Sequence, residues 1–143
     1  MSSDGIKQTE VCYGQYSAGC DKKKSFELNY NGGTIWCEHL DGMGTSEDEV
    51  IAKLGEDKKL FSRPSVSSFM IIDLDETEIT VQIVKTIVDA IIEANKVFRK
   101  IAFVGVEKHC QKQLGAIKTK GIAVRFIGDY EKAKEWVISE KYS

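Results

Sequence analysis

The chain has one proline, two histidines and no excess of basic charge, and none of its apolar runs nears the roughly 20 residues that cross a bilayer. No transmembrane segment is therefore expected. The net charge of −2 provides no positive field, which sets nucleic acid aside as a partner. The run Lys22-Lys23-Lys24 is short and flanked by Asp21 and Glu27, so it reads as a solvated turn. The opening residues "MSSDGIKQTEVCYG" lack the apolar stretch of a secretory signal, and the expected location is cytoplasmic. The four cysteines then read as free thiols. They form no C-x-x-C pair: Cys12 and Cys20 are separated by seven residues, Cys37 stands near His39, and Cys110 follows His109. That spacing is poor for structural zinc, and neither metal nor cofactor is expected. His109 and Cys110 are helical neighbours pointing about 100° apart, which rules them out as a nucleophile and its base.

What is present is an ordinary globular composition, 42% hydrophobic and 29% charged over 143 residues. That suffices for one domain with a buried core. Residues 1–24 are rich in Gly, Ser and Lys without a sustained period, and are expected to form a flexible N-terminal arm ahead of a domain spanning 25–143.

Phe26, Leu28 and Tyr30 alternate with polar residues in the period of a strand. Asn31-Gly32-Gly33 can take the positive φ of a tight hairpin, with a second strand over Thr34 to Leu40. Ser46 and Glu49 have the spacing of a capping box, in which hydroxyl and carboxylate each satisfy an orphan N–H, and open a helix bearing Val50, Leu54 and Phe61. Gly55 is a point at which this helix is expected to weaken, and Pro64 calls for an extended connection. "FMIIDL" from Phe69, "IAFVGV" from Ile101 and "IAVRFI" from Ile122 read as buried strands. Between them lie an amphipathic helix with Val81, Val84, Val88 and Ile91 in its stripe, widened by Ile83, Ile87 and Ile92, and a shorter helix with Cys110, Leu114 and Ile117 aligned. A last helix carries Tyr130, Ala133, Trp136 and Val137. Both tryptophans read as packing residues. Strands alternating with helices predict an α/β fold: a single domain with a mixed, mainly parallel sheet, an N-terminal β-hairpin at its edge and helices packed on it.

Two aspartates at the end of the first buried strand carry the functional question. The segment "DLDET", from Asp73 to Thr77, has the D-x-D-x-T form and so resembles the haloacid dehalogenase-like phosphatases. That resemblance implies Asp73 as nucleophile, Asp75 as the acid for the leaving group, and magnesium beside them. Gly128-Asp129 looks like part of that family's distal acidic motif. The chain departs elsewhere. The next strand ends in Gly105-Val106-Glu107 where that family places Ser or Thr, and Ala133 stands near where a further acid is expected.

A broader resemblance runs from about Phe26 to Trp136. "MIIDL", "RKIAFVGV" and "VRFIGDYEKAKEWV" occur in the order of the central strand, next strand and closing strand-helix of the STAS superfamily. The chain resembles its SpoIIAA-like branch, the fold of sporulation anti-sigma factor antagonists. This resemblance implies a non-enzymatic regulatory or binding module that recognises a protein partner or a small or lipid-like ligand. Regulatory members carry a phosphorylated hydroxyl in an Asp-Ser-Ser-Gly motif after the central strand. Here the equivalent stretch is "ETEITVQI", whose hydroxyls are Thr77 and Thr80. Either threonine can also serve simply as an N-cap. The expected contact surface is the C-terminal end of the central strand and the approach to the next helix, with Asp73, Asp75, Thr77 and Thr80 as its residues, since ligands of open α/β sheets favour the carboxyl ends of strands.

Overall fold

The computed structural model describes residues 23–94 and 96–139. The N-terminal arm up to residue 22, with Cys12 and Cys20, lies outside them. The rest is an α/β domain with one five-stranded sheet, its strands in sequence order. β1 (Phe26–Tyr30) and β2 (Gly33–His39) form the antiparallel hairpin, while β3 (Phe69–Asp73), β4 (Lys100–Val104) and β5 (Ala123–Ile127) continue from β2 in parallel. The hairpin turns on Asn31 and Gly32, with φ of 48° and 82°, the two positive values that match its twist.

Each parallel step is made by a helix: α1 (Glu47–Phe61), α2 (Val81–Glu93), and α3 (Lys108–Leu114) running into a 3-10 turn over Gly115–Lys120. All three cover one face of the sheet, where Val50, Leu54, Ile83, Ile87 and Leu114 bury against Trp36, Met70, Ile72, Ile101 and Phe103. The other face is covered by α4 (Tyr130–Ile138), whose Ala133, Trp136 and Val137 pack on Ile35, Cys37, Ile71, Ala102 and Val104. Alternate strand residues serve opposite cores, as the period of two requires. Lys100, 1% exposed, ties α4 down by donating to the carbonyls of Trp136 (3.0 Å) and Ser139 (2.6 Å), both near the helix end.

Local signals held unevenly. Ser46 stands at the N-cap of α1 but its side chain makes no capping hydrogen bond; its ψ of 66° departs from the extended backbone that aims a capping hydroxyl inward. α1 runs straight through Gly55, because the burial of Val50, Leu54 and Phe61 outweighs the roughly 1 kcal/mol a glycine costs. Pro64 does not extend the chain. It sits second in a turn closed by Val66 N–H on the Arg63 carbonyl (3.1 Å), where its fixed φ is favourable. In α2 the buried set is Ile83, Val84, Ile87, Ala90 and Ile91. Val81, 76% exposed, and Ile92 lie about 120° and 140° round the helix from Ile87, outside that face.

Candidate functional site

The carboxyl ends of β2 and β3 carry the same sequence step. β2 ends His39-Leu40-Asp41 and β3 ends Asp73-Leu74-Asp75. Both leucines are fully buried in the three-helix core. His39 and Asp73 are in register, and their side chains fall on the α4 side of the sheet.

Pairing continues past the strands. Leu40 N–H donates to the Asp73 carbonyl (2.9 Å), Gly42 N–H to Asp75 (2.7 Å), Gly44 N–H to Glu76 (3.0 Å), and Glu78 N–H returns to Gly44 (2.7 Å). Thr77 stitches the same two loops with its side chain: Oγ1 donates to the Leu40 carbonyl at 2.6 Å and accepts from Met43 N–H at 3.1 Å. Thr80 is the N-cap of α2. Its Oγ1 accepts from Ile83 N–H at 3.2 Å and donates to Glu47 at the start of α1. Both threonine hydroxyls are thus committed to holding loops and helix starts together. Just ahead of Thr77, Glu76 holds a φ of 58°, a left-handed conformation that a residue with a side chain adopts at a cost.

The two aspartates of the D-x-D step have unlike surroundings. Asp73 is 7% exposed, and its Oδ1 accepts from Asp75 N–H at 3.1 Å. Burial pushes its carboxyl up to about 6 against the lowering by that hydrogen bond, and the charges of Asp41 and Asp75 add to the rise. Asp75 is exposed. Its backbone packs against Gly105, where a Cβ would lie 2.4 Å from Asp75 Oδ1 and 2.7 Å from its nitrogen.

Asp41 and His39 complete a cluster that the sequence reading missed. His39 Nδ1 lies 2.9 Å from Asp41 Oδ1, and Lys23 Nζ lies 2.7 Å from Asp41 Oδ2. Burial opposes ionisation of Asp41, but the hydrogen bonds from His39 and then Lys23 prevail and hold its carboxyl down at about 2. The His39 ring is held between Phe26, stacked at 5.8 Å, and Tyr130, at 5.7 Å. Burial drives the Tyr130 phenol well above its ordinary range, and its hydrogen-bonded neighbour Cys37 adds to the shift; burial likewise raises the Cys37 thiol. One ligand atom each from His39, Asp41 and Asp73 fall within 4.8 Å of one another, the only such group of three found among the described residues. Cys37 and Cys110 are free, buried thiols. The repeated Leu-Asp step was the one signal that could have placed Asp41 beside Asp73.

Further along the same edge, a pocket of about 230 Å³ lies between the ends of β4 and β5, lined by Phe103, Gly105, Glu107, Gln111, Phe126 and Gly128. It falls below the 300–1,000 Å³ of pockets that enclose a drug-sized ligand. Asp48, Asp75, Glu76, Glu78, Glu107 and Asp129 are exposed along the loops and helix starts of this edge and outnumber the exposed Lys23, Lys108 and Lys132 there, so its balance is acidic. Among the described residues no helix is long and apolar enough to cross a membrane. Comparison with family models, curated proteins and solved structures gave no match for this chain.

Proposed function

We propose that the chain is a non-enzymatic regulatory or binding module of the SpoIIAA-like type, acting through the C-terminal edge of its sheet. The observation that carries this reading is the contrast within the D-x-D step. A nucleophilic carboxylate has to meet its substrate and its acid partner on one open surface. Asp73 is buried beside His39 and Asp41 with one oxygen engaged by Asp75 N–H, while the Asp75 side chain is exposed. That division does not suit the alternative, a small magnesium-dependent haloacid dehalogenase-like phosphatase using Asp73 and Asp75. It suits a braced surface that presents Asp75, Glu76 and Glu78 to a partner.

Between a protein partner and a small or lipid-like ligand, the edge favours protein. Its exposed charge is negative, which complements a basic protein surface and repels anionic headgroups, and its pocket is small. The test is capture from native cytosol beside flotation with anionic vesicles, using wild type, Asp75→Lys, and Arg63→Glu at the opposite end of the sheet. A protein retained by wild type and Arg63→Glu and lost by Asp75→Lys supports the reading. Binding that is indifferent to Asp75→Lys, or confined to vesicles, overturns it.

A further inference from the structure

The cluster at the ends of β2 and β3 combines features that a binding edge does not require. Asp73 has no ion pair of its own among the described residues. The residue is 7% exposed, and the one side-chain hydrogen bond it makes among the described residues is from Asp75 N–H to Oδ1. Asp41, a second buried carboxylate, is close by. Lys23, the nearest cation, bonds to Asp41. A buried carboxylate facing another is costly unless a positive charge joins them. His39 offers a ring nitrogen to the same point, its plane fixed by Phe26 and Tyr130.

We infer that His39, Asp41 and Asp73 form a divalent-cation site, with one imidazole nitrogen and two carboxylate oxygens as ligands. Donors sharing one ion at about 2.1 Å stand about 3–3.5 Å apart, so three atoms already within 4.8 Å need only small rotations to close on it. The register of His39 with Asp73 and the hydrogen bond from Leu40 N–H to the Asp73 carbonyl fix the two strand ends that carry the ligands. The donor set selects the ion. A nitrogen with two carboxylates suits Mn²⁺ or Zn²⁺, whereas Ca²⁺ prefers an all-oxygen cage and Cu⁺ prefers sulfur. On binding, Lys23 leaves Asp41 Oδ2, its side chain being 63% exposed and able to turn to solvent, and the proton held between His39 Nδ1 and Asp41 Oδ1 is released. Three protein ligands leave positions for water. The site does not depend on the protein partner proposed above, because every ligand comes from this chain.

Mn²⁺ is the probe, since it avoids the thiols that would compete for zinc. Metal-stripped full-length chain is titrated with MnCl₂, and free Mn²⁺ is followed by electron paramagnetic resonance. Wild type is expected to take up one ion per chain with a dissociation constant of about 0.1 mM or below. Asp73→Asn and His39→Gln are each expected to weaken uptake by about tenfold or more, and Asp89→Asn, on the exposed side of α2, to leave it unchanged. Thermal unfolding supplies a second reading: Mn²⁺ raises the midpoint of wild type and not of His39→Gln. Absence of uptake up to about 1 mM, uptake that survives both Asp73→Asn and His39→Gln, or an equal loss in Asp89→Asn overturns the site. The resonance signal reports the ion alone, so failure here leaves the capture experiment standing.

Discussion

His39 and Asp73 face each other in register on parallel strands, each one residue ahead of a buried leucine and two ahead of a further aspartate. This repetition organises the whole C-terminal edge. The leucines pin both strand ends into the three-helix core, the loops beyond continue to pair, and the polar side chains on the α4 side gather into one cluster.

Thr77 is expected to act as a loop fastener. Its hydroxyl serves a carbonyl from one loop and an N–H from the same loop three residues on. Thr77→Val keeps the shape and leaves both groups without it, at a cost of about 1–2 kcal/mol. Thr77→Ser is expected to recover most of that. Urea unfolding of the two variants beside wild type measures both; equal stability of valine and wild type would count against the role.

Thr80→Ala removes the N-cap of α2 and its bond to Glu47, and is expected to cost about 1 kcal/mol. Thr80→Asp can still cap α2 but places a negative charge against Glu47, so it is expected to fall below Thr80→Asn in stability. The same unfolding assay ranks them. Thr80→Asp matching Thr80→Asn would show that Glu47 does not sense a charge at this position.

Gly105 is required by contact and by backbone. It holds φ of 79°, and a Cβ there meets the nitrogen and Cα of Asp75 at 2.7 and 2.8 Å. Gly105→Ala is expected to cost about 2–3 kcal/mol, because backbone atoms cannot step aside as a side chain can. Gly128→Ala, on the neighbouring strand end with open space around it, is the control and is expected to be mild.

Glu38 gives the fold a pH dependence. It is fully buried on the three-helix side of β2, accepting from Trp36 Nε1 at 2.8 Å. Burial and then Asp57 raise its carboxyl well above the ordinary value, against the smaller pulls of the Trp36 hydrogen bond and then Lys53. Its Oε2 finds no donor, so it needs its own proton to bond to Asp57. The folded state therefore holds this proton more tightly than the unfolded chain does. Its contribution is complete below the unfolded value of about 4.5 and declines as pH rises through the folded one. Glu38→Gln mimics the protonated form. It is expected to gain about 1–2 kcal/mol over wild type at pH 8 and little at pH 4. An equal change at both pH values would refute the protonated assignment.

Much of this architecture was legible in the residues, and the failures share a cause. The Asn31-Gly32 turn and the continuous apolar runs of β3 and β4 are local signals, and local geometry decides them. The capping box at Ser46, the break at Gly55 and the place of Val81 were local signals that packing overrode. The site was half legible. Asp73, Asp75, Thr77 and Thr80 are contiguous and stand out as a motif. His39 and Asp41 lie more than thirty residues earlier in the chain, and only the parallel pairing of β2 with β3 brings them to Asp73. No spacing rule for cysteine and histidine ligands finds a cluster built by strand register.

Recognition without chemistry is tested most directly by aryl phosphate hydrolysis with saturating magnesium, wild type beside Asp73→Asn. Phosphate release at the buffer background for both proteins is the expected result. Turnover by wild type that Asp73→Asn abolishes while remaining folded would contradict it and make the buried carboxylate a nucleophile.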